Sequence, residues 1–289
     1  MGEFIITTDN GADLPESYLQ EHNVGATTLS YTIEGKTYVA GEHLPLKEFY
    51  AKMRSGIVPS TAQVNPNDVS DLLTPYLEQG KDVIHIALSS GISGTYNSSR
   101  LAGDDLREQF PERKIYIIDS LCASLGQGML VDKAVQLRDE GRSVEETAEF
   151  LEANKLHLVH LFTVDDLDYL YQGGRVSRTT AFLGGMLNIK PVMHVDMEGK
   201  LVPTGKVRHR KKSLIALANN LEAQLGSYKD SFDTFFISHG DCEEDANFLA
   251  EYLCERYEIK RKLISSVGPV IGAHSGPGTM ALFFFGDVR

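Results

Sequence analysis

Short apolar runs alternate with segments of helical periodicity along this chain, and that alternation constrains the fold more than any other feature. Phe4-Ile5-Ile6-Thr7-Thr8, Val83-Ile84-His85-Ile86-Ala87-Leu88 and Lys114 to Ile118 each read as a buried strand followed by a turn and a helical segment. This spacing predicts parallel β-α-β units with ligands at the C-terminal ends of the strands. The expected fold class is α/β, in two α/β domains, the first with a mainly parallel sheet. The texture changes near His157, which puts the expected domains at residues 1–158 and 159–289.

Local signals fill in the frame. Asp13 with Glu16 three residues on, and Pro15 in the first turn, predict a capped helix. Thr27 to Ile33 and Lys36 to Val39 meet across Glu34-Gly35 as a hairpin. Pro59-Ser60-Thr61-Ala62-Gln63 reads as a hydroxyl-bearing loop, and Asn65-Pro66 with Asp68 starts an amphipathic helix. A helix is expected from about Leu125 to Asp139 and another from Glu145 to Leu151. The second half reads as strands His157 to Val164, Ile189 to Val195, Thr234 to Ser238, Lys262 to Val267 and Met280 to Phe285. Helices are expected there from Lys212 to Leu225 and from Glu243 to Tyr257.

At 289 residues and 42% hydrophobic composition the chain can fill two cores of ordinary size. No apolar run approaches the roughly 20 residues of a membrane span, and Met1-Gly2-Glu3-Phe4 lacks the pattern of a signal peptide. A soluble, cytoplasmic protein is expected. Cys122, Cys242 and Cys254 are odd in number and far apart, so neither a disulfide framework nor a zinc site is indicated. A formal net charge of −12 argues against a non-specific nucleic-acid binder.

The stretch Leu88-Ser89-Ser90-Gly91-Ile92-Ser93-Gly94-Thr95-Tyr96-Asn97-Ser98 joins the second of these strands to a helix. A turn rich in Gly and Ser there offers main-chain N–H groups and hydroxyls at the positive end of the helix, which suits an anion. Thr61, and His274 within a loop of four glycines, stand in two comparable places. Periodicity alone does not show that the three converge.

Six ordered blocks carry a resemblance to a known family. They are Thr7-Thr8-Asp9-Asn10-Gly11-Ala12-Asp13-Leu14-Pro15, Ser60-Thr61-Ala62-Gln63, the central turn, Gly173-Gly174-Arg175-Val176-Ser177, Leu187-Asn188-Ile189-Lys190-Pro191 and Gly272-Ala273-His274-Ser275-Gly276-Pro277-Gly278. Together they span essentially the whole chain, which resembles the DegV family, whose best-understood members are the fatty-acid-binding subunits of bacterial fatty acid kinase. Asn10 departs from the Ser expected in the first block and keeps turn chemistry.

The resemblance implies two α/β domains enclosing a fatty acid, its tail in a closed apolar tunnel between or along the domains. The bound fatty acid would be the ligand, with no cofactor and no metal. By motif position Thr61, Ser93, Gly94 and His274 would hold the carboxylate, and a separate ATP-dependent kinase would convert it to an acyl-phosphate. The implied partners are one long-chain fatty acid and a fatty acid kinase catalytic subunit, with a transient membrane-surface contact open, no nucleic acid, and a monomeric chain. A tail of ~14 methylenes carries about 11 kcal/mol of gross transfer energy. Phe162, Phe182, Leu183, Met186, Ile271 and Phe284 are candidate tunnel positions. Arg208-His209-Arg210-Lys211-Lys212 is the densest basic cluster, so Arg208 and Arg210 are candidate kinase-docking residues, with Arg175 and Arg178 as a second docking or lid site.

Two other readings compete. Ser93, Asp119 and His274 follow the Ser, Asp, His order of α/β-hydrolases, but Gly91-Ile92-Ser93-Gly94-Thr95 is no Gly-x-Ser-x-Gly elbow. His157 and His160 suggest a metal pair, yet on a strand residues three apart point to opposite faces. Neither a Gly-x-x-x-x-Gly-Lys-Ser/Thr loop nor a well-placed Gly-x-Gly-x-x-Gly is present, so ATP would belong to the partner.

Overall fold

The computed structural model describes residues 4–177, 188–287 and 289. Arg178, Phe182, Leu183 and Met186 lie outside the described residues. The elements run β1 (Phe4–Asp9), α1 (Glu16–Glu21), β2 (Val24–Thr27), β3 (Ser30–Ile33), β4 (Lys36–Tyr38), α2 (Leu46–Arg54), β5 (Ser60–Ala62), α3 (Pro66–Glu78), β6 (Asp82–Ala87), α4 (Thr95–Gln109), β7 (Ile115–Asp119), α5 (Leu125–Asp139) and α6 (Val144–Asn154). They continue with β8 (Leu158–Thr163), α7 (Asp168–Gln172), β9 (Ile189–Val195), β10 (Leu201–Arg208), α8 (Arg210–Leu225), β11 (Thr234–His239), α9 (Glu243–Cys254), β12 (Arg261–Ser266), α10 (Pro269–Ser275) and β13 (Met280–Phe285).

The fold is α/β. One sheet has the order β2-β1-β6-β7, and all its pairings are parallel. The larger sheet, β10-β9-β8-β13-β11-β12, is antiparallel except for β11 against β12. A small antiparallel sheet, β4-β3-β5, includes the predicted hairpin. Its third strand was expected as loop. Three residues are too few to show a period of two, and the pairing of Thr61 with Tyr31 is long-range.

Helix α5 lies between the two large sheets, with eleven of its fifteen residues buried. Its apolar residues are spread around the helix instead of forming one stripe, as suits a helix covered on several sides, and Gln127 and Asp132 are buried among them. Gly126 and Gly128 let it approach closely, since a Cβ on the first would strike His160 and Phe283 and on the second the carbonyl of Ala12. Alternation divides the larger sheet cleanly. Phe236, Ala281 and Phe283 face the α5 side, whereas Phe235, Ile237, Leu282 and Phe284 pack with α8 and α9 residues. Phe284, expected as tunnel wall, therefore belongs to the opposite face.

The helix-start signals divide. Asn65 with Asp68 and Ser143 with Glu146 form full capping boxes. Asp13 does not cap α1. It is a buried residue in the left-handed conformation (φ 51°), whose carboxylate accepts from Ser124 Oγ at 2.5 Å and from the Gly268 N–H at 2.9 Å. It joins the first turn of the chain to the start of α10.

Candidate functional site

The ends of β1 and β6 are tied by Asp9, which accepts from the N–H groups of Gly11 (2.9 Å) and Leu88 (2.8 Å). Burial raises its carboxyl to about 6. This fixes the exit of β6 and the central turn after it. Ser93 comes two residues before α4, and its Oγ accepts from the Thr95 N–H at 3.2 Å while lying 3.0 Å from Thr95 Oγ1. The tip of the β9–β10 hairpin rests on the same turn. Ser89 Oγ donates to the Gly199 carbonyl at 2.9 Å, and a Cβ on Gly91 would stand 2.5 Å from the Glu198 carbonyl.

His274 is helical rather than in a loop. Pro269 pre-sets the first turn of α10, and Gly276, at φ 80°, ends the helix just after Ser275. In its last turn His274 meets β5, placing Nε2 2.8 Å from Thr61 Oγ1. Burial, and then the neighbouring Arg175 guanidinium, push the imidazole down to about 4. His274 is therefore neutral at pH 7, and the positive charge here belongs to Arg175. Arg175 bonds carbonyl oxygens, those of Ile92 (3.0 Å) and Gly173.

These side chains border one cavity of about 220 Å³. Thr61, Gln63, Ser93, Gly94, Arg175 and His274 form a polar group on its wall. Much of the remaining wall is apolar, including Leu29, Ile92, Phe162, Leu170, Ile271 and Phe283. Ser124 and Ser238, 2.9 Å apart, add polar atoms deeper along α5 and β11. Such a cavity suits an amphiphile with a small anionic head, held by hydroxyls, a neutral imidazole and a guanidinium.

A family profile described as "Uncharacterised protein, DegV family" matches residues 3–287. The chain belongs to the DegV family. A DegV domain-containing protein of Clostridium perfringens (strain 13 / Type A) is 43% identical over 291 residues, spanning 100% of this chain and 99% of the relative. A solved DegV family protein from Thermus thermophilus, described with the words fatty acid binding, has a TM-score of 0.87 at 29% identity, with 99% of this chain and 100% of that one covered. A stearic acid-binding protein from Eubacterium ventriosum ATCC 27560 gives a TM-score of 0.86 at 26% identity, covering 98% of each chain.

In this DegV protein the four residues expected at the carboxylate, Thr61, Ser93, Gly94 and His274, line one cavity, as do Phe162 and Ile271. The hydrolase arrangement is absent. His274 Nε2 is next to Thr61, Ser93 Oγ next to Thr95, and Asp119 accepts from the N–H groups of Ser90 and Leu121, both at 3.1 Å. Among the described residues no carboxylate orients His274, whose buried Nδ1 has no hydrogen-bond partner.

The basic residues separate. Arg208, at the end of β10, is exposed. Arg210 pairs with Asp245 at 2.7 Å and lies 3.7 Å from Asp165, so it holds α8 to its surroundings. Arg175, expected at a docking or lid site, lines the cavity. Sequence reasoning also passed over Gln63, whose Nε2 donates to Ser98 Oγ at 3.0 Å and whose side chain lies against Gly94. No local signal marked it, because β5 is too short for its period to be read from the sequence and Gln63 follows its last residue.

Proposed function

We propose that this protein binds one long-chain fatty acid, with the carboxylate at Thr61, Ser93, Gly94, His274 and Arg175 and the tail in the apolar cavity. The observation that carries this reading is the make-up of the cavity, where Thr61, Ser93, His274 and Arg175 cluster in a wall that is otherwise largely apolar. Burying a carboxylate without partners would be costly, and the cation and hydroxyls remove that cost. The tail supplies affinity at ~0.8 kcal/mol per buried CH₂. The descriptions of the Thermus and Eubacterium proteins as fatty-acid binders support the same ligand class.

In the finer form of the proposal, the protein is a carrier that does no chemistry itself and presents the carboxylate to an ATP-dependent fatty acid kinase, as a cytoplasmic monomer. The exposed Arg208 suits a docking contact with that partner, whereas Arg210 already serves internal ion pairs. Among the described residues no helix is long and apolar enough to cross a membrane.

The deciding experiment is to denature freshly purified protein, extract it and quantify fatty acids by mass spectrometry against protein concentration. About one fatty acid per chain is expected. No lipid, together with no rise in melting temperature on adding palmitate or oleate, would remove the carrier reading. For the partner, Arg208→Glu is expected to lower acyl-phosphate formation by the kinase with lipid content unchanged, and equal formation would remove Arg208 from the docking surface.

A further inference from the structure

A second cavity, of about 240 Å³, is bordered like the first by residues at α5, β11 and β13. Helix α5 packs against the face of the larger sheet formed by β11 and β13. These strands pair antiparallel, with Ser238 opposite Ala281 and Phe236 opposite Phe283. Alternation puts Ser238, Phe236 and Thr234 of one strand, and Ala281, Phe283 and Phe285 of the other, on one face. Ser238, Ala281 and Phe283 line the first cavity, and Thr234 and Phe285 line the second. Along the helix the order is the same. Ser124, at the start of α5, borders the first cavity, while Met129, Lys133 and Gln136 border the second.

From Ala281 to Phe285 is four residues, or about 14 Å along an antiparallel strand. Three side chains occupy that interval: Phe236, Phe283 and Met129, each 2% exposed and members of one apolar cluster. They contribute no hydrogen bond that would fix a ligand, so they act on a chain passing between the cavities by volume alone. Beyond them the second cavity offers Phe150, Tyr228, Phe232 and Phe285. The polar side chains of Asp132, Lys133, Gln136, Asp233 and Arg261 share its wall. Its rim is braced by Asp132, which accepts from Arg261, Tyr18 and Gln136 at 2.7, 2.8 and 2.6 Å.

We infer that the second cavity continues the acyl channel, and that Phe236 with Met129 forms the plug that sets the longest chain this protein accepts. The inference rests on the fatty-acid reading above. Close-packed interiors resist added methylenes, so a tail that reaches the plug stops there. Shortening either side chain would open that interval, so that the end of the tail meets space beside Phe150, Phe232 and Phe285 instead of an obstruction.

The test uses delipidated full-length protein offered an equimolar mixture of laurate, palmitate, stearate, arachidate and behenate, with the retained acids read by mass spectrometry. Phe236→Ala and Met129→Ala are each expected to shift the retained set toward arachidate and behenate relative to wild type. An unchanged profile in folded variants would overturn the plug while leaving the carrier reading in place. Retention of none of the five acids by wild type would overturn the carrier reading and the inference with it. Should Phe236→Ala lose cooperative unfolding, Met129→Ala decides alone, since it opens the same interval from the helix side.

Discussion

Thr61 Oγ1 and His274 Nε2 stand 2.8 Å apart across 213 residues of sequence. One is on the edge strand of the small sheet and the other on the last turn of α10, so the pair forms only when α10 packs on β3 and β5. Thr61→Val should therefore act on the ligand more than on the fold. Leaving the imidazole unpartnered and removing one donor is expected to cost about 1–3 kcal/mol of carboxylate affinity, or roughly 5- to 150-fold in Kd for palmitate. Calorimetric titration of delipidated protein checks this, and an unchanged Kd would take the hydroxyl out of the site.

Arg175→Gln separates charge from shape. Palmitate affinity should fall well below wild type, while affinity for hexadecanol, which carries no charge, should change little. A variant that weakens both ligands equally would show that Arg175 acts through packing. The same substitution removes the second of the two influences that lower His274 from 6.5 to about 4. Its imidazole titration, followed by NMR, should move upward without reaching 6.5, because burial remains.

Asp13→Asn tests the buried carboxyl that joins Ser124 to Gly268. Burial raises Asp13 from 3.8 to about 7. The folded state thus holds a proton that the unfolded chain releases. The contribution is fully present below pH 3.8 and is lost as pH rises through about 7. Its size is at most ~4 kcal/mol, from ~1.4 kcal/mol for each pKa unit. Asn keeps an acceptor for the Gly268 N–H and can replace the bond that Ser124 Oγ gives the carboxylate by donating its own N–H to that hydroxyl, while removing the titration. Urea midpoints measured at about pH 5 and about pH 8 should show wild type losing stability relative to the variant as pH rises. Parallel behaviour would contradict the raised pKa.

Gly173→Ala probes close approach instead of backbone strain, because φ at Gly173 is −72° and suits any residue. An added Cβ would run into His274 Nδ1. The ring must turn away from Thr61 to make room, so fatty-acid retention should drop while the unfolding midpoint moves little. Full retention at wild-type stoichiometry would show that the ring can shift without leaving the site.

The alternation of strands and helices was legible because its information is local. Phe4–Asp9, Asp82–Ala87 and Ile115–Asp119 each hold a short apolar stretch, and strands covered on both faces need such stretches. Met280–Phe285 was bounded correctly for the same reason. The capping boxes at Asn65 and Ser143 depend on residues three apart and were open to the same kind of reading. Asp13 offered the same spacing with Glu16, yet its carboxylate went to Ser124 and Gly268. Partners 111 and 255 residues away outcompeted the local amide, and no local pattern records them.

What the sequence determined by itself was therefore the α/β class, the family, and the residue types at the ends of the strands, since propensity, capping and motif spacing act within a few residues. Only the tertiary structure decided that Thr61 and His274 touch, that Arg175 faces the cavity while Phe284 faces away, and that Phe236 stands between two cavities. Those outcomes depend on which faces pack together and which charges are buried, and both are set by contacts between segments far apart in the chain.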